Sequence, residues 1–212
     1  MRRSLLILAA LLLLAPATAL SAGEKTFTPD TIHSRIGFSA KTLFKVNGNF
    51  GKFSTDISGD PDTLDNAKVR VEIEVASINT ENKSRDGHLK SPDFFDAAKY
   101  PKIVFTSSKV WKQNAQVMVQ GTLDMHGVKK EFTLAFEPSF GKNGAGADTW
   151  SYESSLQINR NDWSIGSGSI AAKIGLKDTV ELNLQLVGFF HEKEAAKPAP
   201  TKAPTKKHKK AA

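Results

Sequence analysis

The sequence predicts an all-β domain of about eight or more antiparallel strands, closed as a barrel or packed as a sandwich, with one short helical excursion. Three observations carry that expectation. Ala67 to Val75 reads AKVRVEIEV, and all nine positions alternate apolar and charged. Val180 to Leu186 repeats the pattern as VELNLQL, and clusters of turn residues punctuate the chain between such runs. The chain has no cysteine, so no disulfide can staple the fold, and closing the sheet into a barrel removes the exposed strand edges.

A period of two places one face of a strand on the core and the other in water. Ile36-Phe38-Ala40 is the first such stretch. In the next, Val69, Val71, Ile73 and Val75 share one face, and Lys68, Arg70, Glu72 and Glu74 share the other. A slip of one residue would bury four charges, so the register is strongly specified. Weaker alternation marks Val117-Val119, Phe132-Leu134-Phe136 and Leu156-Ile158. Asn47-Gly48 and Asn143-Gly144 are predicted as hairpin turns, Gly59-Asp60-Pro61-Asp62 as a connection and Gly127 as a turn. Thr80 to Asp96 breaks the strand pattern. Within it, Ser91-Pro92-Asp93 is predicted to start a helix, and the charged segment before it has room for another short one.

Charge resides at the two ends. The 212 residues carry a formal net charge of +7. Arg2 and Arg3 contribute +2, and seven Lys against Glu192 and Glu194 give +5 from His191 onward, leaving the body with 20 basic and 20 acidic side chains. With the basicity at the ends, the overall charge gives no sign of a basic nucleic-acid groove on the fold, and no nucleic-acid partner is expected. Met1-Arg2-Arg3, an apolar run of eleven from Leu5 to Ala15, and Ala17-Thr18-Ala19 form the three parts of a secretory signal peptide, assigned to residues 1–22. That places the protein in the periplasm or outside the cell. Residues 24–190 form the expected barrel domain. Residues 191–212, rich in Lys, Pro and Ala, are expected to be a disordered tail. The tail reads either as a solvated extension or as a polycation that contacts an anionic membrane or envelope surface.

The chain carries few marks of catalytic or metal chemistry. The five His show no metal-ligand spacing, so no metal and no other cofactor is expected. Gly166 to Ala171 matches GxGxxA without a β-α-β context and reads as a glycine-rich turn. There is no nucleophile elbow and no phosphate loop, and no enzymatic activity is expected. The 13 Phe, against 2 Tyr and 3 Trp, suit either a dry core or a hydrocarbon ligand. Periodicity alone favours the filled core.

A longer match shifts that balance. RDGHLKSPDFFDAAKYPKIVFTS (Arg85 to Ser107) resembles the signature of the YceI-like family of secreted polyisoprenoid-binding proteins. So do DTIHSRIGFSAK (Asp30 to Lys41), VNGNFGKF (Val46 to Phe53), GTLDMHGVKKEFTL (Gly121 to Leu134) and NRNDWSIG (Asn159 to Gly166). Thr42 departs from the pattern where many members have histidine, and Ser164 where many have glycine.

The resemblance implies a lipocalin-like closed antiparallel barrel whose lumen binds an isoprenoid or similar long-chain lipid, of quinone or polyprenyl type. Phe38, Val69, Val71, Ile73, Phe94, Phe95, Phe105, Leu182 and Leu184 are the residues expected to line it. Arg85, Asp86 and His88 are expected at the mouth as headgroup contacts, with Arg160 and Asp162 as further candidates. The alternative for Arg85 and Asp86 is helix capping and pairing with neighbours, and Trp163 reads as a core plug. Two other functions stand beside the carrier: an envelope stress-related or structural protein acting through its surface and tail, and a lipid-modifying enzyme. A homodimer of the barrel stands beside the monomer as an expected form.

Overall fold

The strand ladder closes on itself. In the computed structural model, which describes residues 25–192, eleven strand segments form one sheet whose two long-range neighbours, the first and last strands, also pair. They are β1 (Lys25–Pro29), β2 (Arg35–Lys41), β3 (Lys45–Phe50), β4 (Phe53–Ser58), β5 (Lys68–Glu74) and β6 (Ile78–Asn79). The rest are β7 (Lys102–Gln113), β8 (Gln116–Met125), β9 (Val128–Lys142), β10 (Asp148–Asn159) and β11 (Thr179–Glu192).

Eleven segments make eight walls. One edge of β11 carries β2 along Val180–Gln185 and β1 along Gly188–Glu192, so β1 and β2 are one wall strand interrupted at 30–34. Similarly, β3 runs into β4 through Gly51-Lys52, and β5 runs into β6 through a 3-10 turn at Val75–Ser77. Gly51 N–H donates to Ser77 O at 3.1 Å and Glu74 N–H to Lys52 O at 3.0 Å, carrying the ladder across both bends. With β7 to β11 the result is a closed eight-stranded antiparallel barrel in simple up-and-down order.

Alternation places the apolar faces inside, as β8 illustrates: from Val117 to Met125 every odd position is buried and every even one is partly exposed. β7 changes parity along its length, with Ile103 and Phe105 facing in near its start and Val110 farther on. The register shift between Ser107 and Lys109 is the cause. Gly121 makes that bulge feasible, because a Cβ there would lie 2.2 Å from Thr106 O.

The barrel has two unlike ends. At the loop end lie the β4–β5 connection at 59–67 and the hairpins at 114–115 and 143–147. At the helical end lie α1 (Lys83–Lys90), the turns that follow it, a 3-10 turn at Arg160–Trp163, and α2 (Ile170–Gly175).

Several local expectations are corrected. Asn47-Gly48 is not a turn: both residues lie inside β3, and the chain reverses at 42–44. A Cβ on Gly48 would lie 2.4 Å from the Phe38 ring, and the Asn47 side chain accepts a 2.7 Å bond from Ser39, so each residue serves packing across the hairpin. Ser91-Pro92-Asp93 ends a helix instead of starting one. The helix is the preceding charged segment, α1, where the Asn82 side chain caps Arg85 N–H at 3.0 Å and Ser91 closes the last turn. Pro92 then prevents continuation. The helical excursion is also not single, since α2 follows the glycine-rich turn, with Ser169 as its N-cap. Finally, β11 continues past Phe190 to Glu192, whose partner is Lys25. The signal peptide expected over 1–22, and the tail from residue 193 onward, lie outside the described residues.

Candidate functional site

The inward faces enclose a cavity of about 240 Å³ that reaches from one end of the barrel to the other. That is roughly twenty times the space one water needs. At the loop end its wall includes Phe27, Leu64, Tyr152 and Phe190; at the helical end it includes Leu89, Ile165 and Leu176. Phe38, Val69, Val71 and Ile73 line it from β2 and β5, and Phe105, Leu182 and Leu184 from β7 and β11. Phe94 and Phe95 reach it from the turns after α1. Phe27, Phe136 and Leu186 line it too. They sit on the same period-two faces, so alternation extended along each strand finds them.

Aromatic packing shapes both ends. Phe95 meets Phe50 edge-on at 6.0 Å, and Phe50 meets Phe38 at 5.7 Å, forming the floor at the helical end. At the loop end Phe27 lies 5.2 Å from Phe190 and 6.2 Å from Tyr152. Burial, with a smaller contribution from nearby Asp62, raises the Tyr152 phenol above its ordinary range, so it stays neutral. Trp163, 2% exposed, packs against Phe132 and closes the helical end from behind.

The five polar candidates do not converge on a headgroup site. Arg85 donates to the Thr80 hydroxyl and carbonyl, both at 2.8 Å. Asp86 accepts from Thr80 N–H at 2.9 Å and from its hydroxyl at 2.6 Å. Together they clamp buried Thr80 and tie α1 to β6. His88 lies on the surface, 3.1 Å from Asp93 and edge-on to Phe94. Asp162 pairs with Lys130 at 2.9 Å. Only Arg160 touches the cavity wall, and its guanidinium is committed elsewhere. It donates to Ile165 O at 2.7 Å, Lys177 O at 3.2 Å and Asp178 Oδ1 at 3.0 Å, with longer bonds to Ala172 O and Leu176 O. That hub knots the 164–178 segment over the barrel.

The one other charged group on the wall among the described residues, Asp60, is likewise occupied. Asp60 Oδ1 accepts from the N–H groups of Asp62 and Thr63 at 2.8 and 3.0 Å, and these bonds hold its carboxyl below the usual carboxylate range. No nucleophile–base pair lines the lumen among the described residues. Among the described residues no group of three or more His, Asp or Glu is placed to hold a metal ion.

A YceI-like domain model matches residues 27–188. The chain belongs to the YceI-like family. Relatives agree over most of its length. A UPF0312 protein of Vibrio vulnificus is 30% identical over 192 residues, 89% of this chain and 99% of that protein. Another UPF0312 protein, from Photorhabdus laumondii, is 34% identical over 160 residues, covering 72% of this chain and 81% of its own length. Among solved structures, Burkholderia cenocepacia BcnA superposes with a TM-score of 0.68 at 26% identity, over 76% of this chain and all of that one. The Campylobacter jejuni YCEI protein gives 0.58 at 32% identity, over 71% and 86% of the two chains. A polyisoprenoid-binding domain from Saccharophagus degradans shares the fold, with a TM-score of 0.56 at 18% identity over 80% and 98%. Members of this YceI-like family therefore build the same barrel as the one described above.

Proposed function

We propose that this protein binds an isoprenoid or similar long-chain amphiphile, of quinone or polyprenyl type, in its lumen, and stores or carries it in the periplasm or outside the cell. The observation that carries the reading is the cavity itself: it is long, continuous and walled almost entirely by hydrocarbon and aromatic side chains. Each CH₂ taken out of water contributes roughly 0.8 kcal/mol, so a chain of several isoprene units binds such a wall without any polar anchor. The commitment of Arg85, Asp86 and Arg160 to internal bonds fits this reading, since affinity then comes from the wall. The polyisoprenoid-binding domain of Saccharophagus degradans, built on the same fold, points to the same ligand class. The role proposed is that of a binding protein and not an enzyme: Arg160, the cation on the wall, and Asp60, its carboxylate, are both held by internal bonds. Organic extraction of natively purified protein followed by mass spectrometry tests it. The expected result is one long-chain lipid at near-stoichiometric yield. Recovery of no lipid, together with failure to take up an added isoprenoid quinone, contradicts the proposal.

A further inference from the structure

Large apolar side chains exposed to water are few, and they are not scattered. Of six among the described residues, four lie at the helical end: Leu43 at 100% exposure, Phe44 at 65%, Ile170 at 74% and Ile174 at 84%. Leu43 and Phe44 form the tip of the β2–β3 turn, and Ile170 and Ile174, four residues apart, share one face of α2. Lys177 N–H donates to Lys41 O at 2.8 Å, which brings the end of α2 beside that turn.

Both supports are firm. Thr42 N–H and its hydroxyl both donate to Phe44 O, at 2.9 and 3.0 Å, so the turn is closed and its tip points away from the barrel. Beneath α2, Ala172 is 3% exposed, and the Arg160 hub holds the segment from the inside. The exposed side chains are presented by a closed turn and an anchored helix.

The unpaired charge around the patch is positive. Lys41, Lys173 and Lys177 are exposed and have no ion pair among the described residues. The two nearby carboxylates are occupied, Asp178 by Arg160 at 3.0 Å and Glu181 by Lys45 at 3.1 Å. The lumen wall reaches the same edge through Ala40, Leu176 and Val180.

From this arrangement we infer that the helical end is a membrane-docking face, which seats on an anionic lipid bilayer with Leu43, Phe44, Ile170 and Ile174 in the headgroup layer. Apolar fingers rimmed by unpaired lysines match the boundary between acyl chains and negative headgroups. A second copy of the chain fits less well, because a two-fold contact would set the same lysines against each other. The docking does not depend on what the lumen holds, so it fails or stands separately from lipid occupancy.

Flotation with phosphatidylcholine vesicles, with and without phosphatidylglycerol, provides the test. Natively purified wild type is compared with Leu43→Ser/Ile174→Ser and with Lys41→Gln/Lys173→Gln/Lys177→Gln. The tail is present in all three, so differences belong to the patch. All five positions are exposed and carry no packing role, so the variants are expected to keep the wild-type melting temperature. The apolar variant should bind anionic vesicles roughly tenfold more weakly. The lysine variant should lose most of its preference for anionic over neutral vesicles. Because the chain has no cysteine, a single environment-sensitive label can be placed by Leu43→Cys, or by Ala145→Cys in the hairpin at the opposite end. The label at 43 should shift to the blue on anionic vesicles, and the label at 145 should not. Equal binding by all three proteins, or equal responses from the two labels, overturns the inference. So does a patch variant that dissociates a wild-type dimer while leaving vesicle binding unchanged.

Discussion

Ile73→Asn tests the lumen wall most sharply. Ile73 sits one residue before the end of β5, opposite Phe53 on one side and Ile103 on the other, with its side chain on the cavity. In the empty barrel an amide at this position can be met by water. When a hydrocarbon chain fills the lumen, that water leaves and the amide has no partner. An unsatisfied polar group costs about 1–3 kcal/mol. At 1.4 kcal/mol per tenfold, affinity should fall by about 5- to 150-fold, before any loss of apolar contact is added. Ile73→Val keeps the wall apolar and should remain within a few-fold of wild type. Glu74→Gln, on the outer face one residue away, should change nothing. The assay is titration with an isoprenoid quinone, with circular dichroism and melting temperature establishing that each variant is folded. A folded Ile73→Asn protein with wild-type affinity would refute the reasoning, and the lumen would then be only a loosely filled core.

Four further outcomes follow from the polar groups. Arg160→Met should destabilise the protein by about 3 kcal/mol or more in urea unfolding, because several carbonyls at the helical end lose their donor together. Arg85→Ala should cost about 1–3 kcal/mol through the loss of the Thr80 clamp, with affinity for an anionic-headgroup lipid unchanged; headgroup-dependent weakening would restore Arg85 as a ligand contact. Ser164 holds φ at 57°, so Ser164→Gly should stabilise by about 0.5–1 kcal/mol and raise the melting temperature by a few degrees. Backbone bonds hold Asp60 below its ordinary value, and contacts to Lys102 and Arg70 do the same for Glu72. Depressed folded-state values mean that this stabilisation is complete above the ordinary carboxylate range and is lost as pH falls below it. The melting temperature should therefore hold from neutral pH to about 5 and fall below about 4, less steeply in Asp60→Asn.

How much of this was legible depends on how local each signal is. The inward faces of β5 and β11 are readable from alternation, since burying Arg70 or Glu72 would be prohibitive, and Val69, Val71, Ile73, Leu182 and Leu184 are among the residues that line the cavity. The bulge in β7 leaves no mark in its own sequence; its counterpart is Gly121 on the neighbouring strand. Asn47-Gly48 has turn chemistry but serves tight packing across a hairpin, and only the Phe38 ring beside Gly48 reveals this. Arg85 and Arg160 look alike as lone cations in polar stretches. Their roles are set by acceptors brought by the fold, Thr80 for one and the backbone of 165–178 for the other. Likewise, Leu43 and Phe44 end an ordinary strand pattern, and their exposure follows from where the turn falls.

Native mass spectrometry of the intact protein, purified without detergent, tests the central claim most directly. The expected result is a discrete mass above that of the polypeptide, matching one long-chain lipid, which disappears on organic extraction and is strongly reduced in folded Ile73→Asn. A bare polypeptide mass that stays unchanged after incubation with isoprenoid quinones and polyprenols would contradict it.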